Sequence, residues 1–158
     1  EIGKRTREFI KNDQLQPRDK FKPIKCFDVN MNKFDWNSVK GKKFTIIVGG
    51  LWCMTHGMDN SLPKQYFESI KENYGDSHQL ILYVYCNDSE EMKEEIKKFG
   101  LEDYTVISDF KGRATPFTSI YNCQATPTCI YIDAKGIIVN IMEGLDPNYL
   151  ENEFILKQ

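Results

Sequence analysis

Two strand-length apolar runs with a helix-length segment between them constrain this chain's fold more than any other feature. The first run, Lys43–Gly49, reads Lys-Phe-Thr-Ile-Ile-Val-Gly. It is rich in β-branched residues and lacks the polar alternation of a half-exposed strand, so it suits a strand covered on both faces. A second run of the same kind spans 79–86. Between them, Leu62, Tyr66, Ile70 and Tyr74 recur at spacing four and form one apolar helical stripe. Strand, helix, strand in this order requires a crossover, and a crossover makes the two strands parallel.

The rest of the chain continues the alternation. Residues 2–12 read as a short polar helix that Gln16-Pro17-Arg18-Asp19 breaks. A strand over 24–29 and a turn at Asn30-Met31-Asn32-Lys33 predict an N-terminal β-hairpin. Asn37 to Lys40 is too short for a full helix, and Gly41 releases the chain into the first buried strand. Asp88-Ser89-Glu90-Glu91 places an N-cap with a carboxylate three residues on; Met92, Ile96 and Phe99 follow on one face, and Gly100 stops that helix. A short strand over 104–107 and a helical segment at 118–121 come next. Residues 128–133 and 137–142 form a hairpin about Ala134-Lys135-Gly136, and 148–156 close the chain as a helix. The expected fold is α/β, with a mixed central sheet flanked by helices. Lys43–Gly49 and 79–86 should be adjacent and parallel, with 128–133 antiparallel to the first. Residues 1–14 are expected as a helical extension and 15–158 as the folded domain.

A chain of 158 residues can bury a sizeable core in one domain. No run approaches the roughly 20 apolar residues of a membrane helix. A cleaved signal, a lipid anchor or neither is compatible with a chain that begins at Glu1. The net charge of −2 argues against a nucleic-acid partner. Charge is unevenly spread: residues 1–43 carry twelve Lys/Arg against six Asp/Glu. This is either a solvated basic face or a segment suited to an anionic membrane surface. The five cysteines, Cys26, Cys53, Cys86, Cys123 and Cys129, are odd in number, so at least one is unpaired within a single chain. Their irregular spacing does not suit a structural zinc site.

Trp52-Cys53-Met54-Thr55-His56 lies where the first buried strand gives way to helix. Backbone N–H groups at a helix start favour an anion, so a cysteine there ionises more readily. Thr126-Pro127-Thr128 leads into a later strand. Together, the segment from Gly41 to Trp52-Cys53, the helix opened by Asp88-Ser89-Glu90-Glu91, Tyr121-Asn122-Cys123-Gln124-Ala125-Thr126-Pro127-Thr128, and Ile132-Asp133-Ala134-Lys135-Gly136-Ile137-Ile138 resemble a thioredoxin-like protein. The closest group is the TlpA/ResA-like thiol-disulfide oxidoreductases, related to the AhpC/TSA peroxiredoxins, and the resemblance covers about residues 15–157.

The resemblance implies a thioredoxin-like fold with an N-terminal β-hairpin and an inserted helix. It also implies a cis peptide bond at Pro127, a groove formed by Trp52, Thr126 and Pro127 for a polypeptide, and Cys53 as the attacking thiol. It further implies protein thiols or disulfides, or a redox partner protein, as partners, with no cofactor and no metal. The location would be periplasmic or otherwise extracytoplasmic, with an N-terminal membrane anchor as one form of attachment.

The chain departs from the pattern where such reductases carry their second cysteine: His56 stands there. A dithiol cycle within the motif is therefore impossible. His56 either tunes the Cys53 thiolate and moves a proton or is a plain helix-terminal side chain. Cys86, at the end of the second buried strand, is either core packing or a candidate resolving thiol; Cys26, Cys123 and Cys129 are read as buried thiols. A peroxiredoxin site needs Pro and Thr/Ser seven and three residues before its cysteine, and Ile46 and Gly50 occupy those places. Ile47 replaces the buried acid of ordinary thioredoxin, with Asp59 a candidate substitute. Two readings remain: a single-cysteine thiol-disulfide oxidoreductase, or a non-enzymatic binding module using the groove beside Pro127.

Overall fold

The computed structural model describes residues 14–49, 62–75, 77–146 and 148–155. The helix expected over 2–12, Trp52, Cys53, His56 and Asp59 lie outside the described residues. Five strands form one sheet: β1 (Lys43–Gly49), β2 (His78–Val84), β3 (Thr105–Ile107), β4 (Thr128–Ile132) and β5 (Ile138–Glu143), in the order β3-β2-β1-β4-β5. β1 is parallel to β2 and antiparallel to β4, as the strand–helix order requires. β3 is parallel to β2. The β4–β5 hairpin has an irregularity in register between Tyr131 and Ile132.

Helices cover both faces because the central strands are apolar on both. On one face Ile47, Leu82, Val84, Cys129 and Tyr131 meet helix α1 (Leu62–Tyr74), helix α2 (Ser89–Phe99) and the C-terminal π-helix Tyr149–Ile155. On the other, Phe44, Ile46, Val48, Tyr83 and Ile130 meet the N-terminal segment and helix α3 (Pro116–Ile120). α1 buries Phe67 along with Ile70, so its inward stripe includes a residue outside the 62/66/70/74 row. α2 carries the expected caps. Asp88 accepts from the Glu91 N–H at 2.8 Å, Glu91 accepts from the Asn87 N–H at 2.9 Å, and Gly100 turns left-handed at φ 64°.

The N-terminal hairpin is smaller than expected. In place of a strand over 24–29, only Phe27 bridges Lys33, beside a turn whose N–H groups the Asp28 carboxylate accepts at 2.8 and 2.9 Å. Phe27 also bridges Ser108 just beyond β3, so the residue that closes the short hairpin also ties it to the sheet edge. Tyr121 ties it down further, accepting from the Lys22 N–H at 2.9 Å and donating to the Lys22 carbonyl at 2.6 Å.

At the amino end of β2, His78 is 2 % exposed. Its Nε2 lies 3.1 Å from the Thr45 hydroxyl, and its ring meets Phe154 edge-on. Its Nδ1 has no hydrogen-bond partner among the described residues. Burial, and then the Lys43 ammonium, push the imidazole pKa down from 6.5 to about 4. The unfolded chain binds this proton near 6.5 and the folded chain only near 4, so His78 costs stability as pH falls through that window. Between about pH 7 and pH 5 the native state should lose about 2 kcal/mol from this group. Urea unfolding at both pH values should show that loss in the wild type and most of it gone in His78→Gln.

Candidate active site

The candidate site residues that the structure describes lie where β1 and β2 end. Their register pairs Gly49 with Val84, and the Tyr85 N–H continues the ladder by donating to the Gly49 carbonyl at 3.1 Å. Carboxyl ends of parallel strands are the edge at which α/β proteins assemble sites. On one side of Gly49 the chain leaves β2 at Val84, two residues short of the strand end expected at 86, and continues to Cys86. On the other lies the approach to β4, where the Thr126–Pro127 peptide bond is cis. A β-carbon built on Gly49 would stand 3.5 Å from both Pro127 Cα and Thr126 Cβ. The proline segment thus lies directly against the end of β1, in van der Waals contact range.

Gly144 fixes that segment from behind. Its N–H donates to the Pro127 carbonyl at 2.7 Å, and its own carbonyl accepts from the Cys129 thiol at 3.2 Å. The backbone there has φ +83°, a conformation glycine adopts without steric cost. Thr128 closes the turn by donating from Oγ1 to the Ala125 carbonyl at 2.6 Å.

The four described thiols are all buried and free. Burial pushes Cys86 up to about 11, and the carboxylates of Glu91, Glu95 and Asp88 add to the shift. Cys123 and Cys129 both rise to about 12, chiefly by burial. Cys26 also rises to about 12, by burial and the charge of Asp109. A thiol in such surroundings stays protonated and is a poor nucleophile at neutral pH. Cys86 sits at the right edge of the sheet, but it is 1 % exposed and packed with Met92, Phe67 and Ile47.

Sequence reasoning missed a buried acid. Asp109 follows β3 and is 9 % exposed. It accepts from the Tyr83 hydroxyl at 2.5 Å, the Thr115 hydroxyl at 2.8 Å and the Lys111 N–H at 3.1 Å. Burial, reinforced by the bond to Asp109, holds the Tyr83 phenol well above its ordinary value, so Tyr83 is the donor. Three donors satisfy one carboxylate, and Thr115 in turn caps α3 by accepting from the Phe117 N–H at 3.3 Å. The available signal was weak: an Asp among polar residues after a short strand. The structure describes Thr126, Pro127 and Cys86 at the carboxyl edge of the sheet. The other three expected site residues lie outside the described set.

A family model described as Redoxin matches residues 16–153. No protein of curated description matches the sequence. Among solved structures, the chain is similar to a thiol-disulfide oxidoreductase from Bacteroides fragilis, at 17 % identity and TM-score 0.70, covering 89 % of this chain and 100 % of that one. It is similar to an exposed lipoprotein thioredoxin from Streptococcus pneumoniae, at 18 % identity and TM-score 0.65, covering 83 % and 96 %. A thiol peroxidase from Chromobacterium violaceum, at 14 % identity and TM-score 0.64, covers 89 % and 86 %. At these identities the likeness carries the fold, which is thioredoxin-like.

Proposed function

Because the chain belongs to the Redoxin family, we propose that it is a thioredoxin-like thiol-disulfide oxidoreductase that acts outside the cytoplasm through the single motif thiol of Cys53. The observation that carries this reading is the burial of the other four cysteines, each with its thiol held in the protonated form. Cys53 follows Gly49, the last residue of β1, by four positions in the sequence. Relatives in fold bear names that fit: thiol-disulfide oxidoreductase and exposed lipoprotein thioredoxin. The thiol peroxidase shares the fold, but Ile46 and Gly50 stand where peroxide chemistry of the peroxiredoxin type needs Pro and Thr/Ser.

In the proposed cycle, the Cys53 thiolate attacks one sulfur of a substrate disulfide. A new S–S bond forms to Cys53, and the other substrate sulfur leaves as a thiolate that takes up a proton. A thiol of a partner protein or small molecule then attacks the mixed disulfide at the Cys53 sulfur. Cys53 passes into a disulfide with this donor, and the substrate's first sulfur leaves as the second reduced thiol. A further donor thiol frees Cys53, so the donor pair is oxidised and the substrate reduced. His56, as imidazolium, favours the Cys53 thiolate, and Trp52, Thr126 and Pro127 line the substrate groove. An external donor fits better than Cys86, whose thiol would first have to leave its packing. Residues 1–14 are assigned to an extension outside the catalytic domain.

The alternative is a binding module, favoured by the missing second motif cysteine: His56 occupies its place. One substitution separates the two. His56→Cys should restore an intramolecular release step and raise turnover of a model protein disulfide by about tenfold or more. An unchanged rate in that variant, with Cys53→Ser still binding the same polypeptide, supports the module instead.

A further inference from the structure

At the opposite end of the sheet from Gly49 and Pro127, about 16 Å away along β1, lies a cavity of about 490 Å3. It opens between the N-terminal segment, the short 3-10 helix Trp36–Val39, the start of β1 and the β4–β5 turn. Its floor is aromatic. Phe21, Trp36 and Phe44 touch one another, with ring centroids 5.1, 5.4 and 6.4 Å apart. The indole is fixed, because Trp36 Nε1–H donates to the Ile24 carbonyl at 2.8 Å. Phe21 and Trp36 are half-buried, so an apolar surface stays open to a ligand in a floor that is already rigid.

The rim is basic. Lys20, Lys40 and Lys135 line the opening, are exposed, and form no ion pair with a described residue. The acid in the lining, Asp133, is held by the turn: its Oδ1 accepts from the Lys135 and Ile137 N–H groups at 2.9 and 3.0 Å. Three ammoniums around an apolar concavity select one ligand chemistry. The body must be hydrophobic, to cover the rings, and the head must be an acid, to sit among the lysines.

We propose that this cavity is a binding site for a free single-chain anionic amphiphile, its apolar body on Phe21, Trp36 and Phe44 and its carboxylate or phosphate head among Lys20, Lys40 and Lys135. A bilayer supplies the same chemistry but needs protruding aromatics, and here the rings line a recess. The site stands apart from the thiol chemistry and does not depend on it.

The test titrates the full chain with decanoate below its micelle concentration, by calorimetry and by the Trp36 indole N–H resonance, assigned with Trp36→Phe. Decyltrimethylammonium and phosphatidylglycerol vesicles form the other two arms. Saturable decanoate binding that shifts the Trp36 resonance is expected, at least about tenfold tighter than the cationic amphiphile. Lys40→Glu/Lys135→Glu, both at exposed positions, should weaken decanoate at least about tenfold while the Trp36 resonance of the ligand-free chain confirms folding. Equal affinity for the two amphiphiles, a Trp36 resonance that does not move, an unchanged affinity in the double variant, or binding to vesicles alone each overturns the proposal.

Discussion

Cys53→Ser is expected to lower disulfide-exchange turnover by at least about 100-fold, because in the proposed mechanism this sulfur forms and breaks the mixed disulfide and an alcohol does not replace it. Single replacement of Cys26, Cys86, Cys123 or Cys129 by Ala should leave the per-molecule rate of the folded protein within about threefold. The contrast follows from burial: these four thiols are at most 2 % exposed, and burial raises each of them to between about 11 and about 12. The Cys86 variant carries the most information. Were Cys86 the resolving thiol, its loss would trap the mixed disulfide and turnover would fall with that of Cys53→Ser. Steady-state reduction of a protein disulfide by each variant, normalised to folded protein, reads the difference.

The second large effect is on stability. Asp109→Ala removes the shared acceptor of Tyr83 and Thr115, which are 0 % and 2 % exposed. Each stranded hydroxyl costs about 1–3 kcal/mol, partly offset by no longer burying a carboxylate, so about 3 kcal/mol should be lost. For a domain of this size that is a drop in Tm of about 10 °C. Asp109→Asn keeps an acceptor oxygen and should lose about half as much. Thermal unfolding at pH 7 checks both. Equal Tm values for wild type and Asp109→Ala would mean that the Tyr83–Asp109–Thr115 contacts add nothing net.

Much of the sheet was legible because its strongest signals are local. Lys43–Gly49 carries apolar residues on both faces, and the chain order then dictates a parallel neighbour and an antiparallel β4. The α2 caps were legible for the same reason: Asp88, Glu91 and Gly100 act within one turn of the helix ends. The N-terminal strand was over-read because its pairing is confined to Phe27. That residue bridges Lys33 and also Ser108 across the sheet edge, and nothing near residue 27 announces the second partner. Asp109 was missed likewise, since its two side-chain donors lie 26 and 6 residues away in sequence and converge only in the fold. The proline segment was picked out in the sequence by its Ala-Thr-Pro-Thr context, and it lies against the end of β1, while the residues it was expected to face, Cys53 and His56, lie outside the described residues. The burial of Cys86 was not fixed by its strand-end position, because α2, which covers it, comes later in the chain.

Cys53 is proposed as the chain's nucleophilic thiol, and alkylation kinetics measure this directly. Native protein is treated with iodoacetamide at graded pH, quenched, and each of the five cysteines quantified by mass spectrometry. In the proposed mechanism Cys53 ionises below the free-cysteine value of about 8.5, with an imidazolium at His56 favouring its thiolate. The four buried thiols begin from about 11 or higher. Cys53 should therefore label near neutral pH at least about tenfold faster than any other cysteine, with a midpoint below about 8.5, and His56→Ala should move that midpoint upward. Labelling of Cys53 no faster than that of Cys26 or Cys129 contradicts the account.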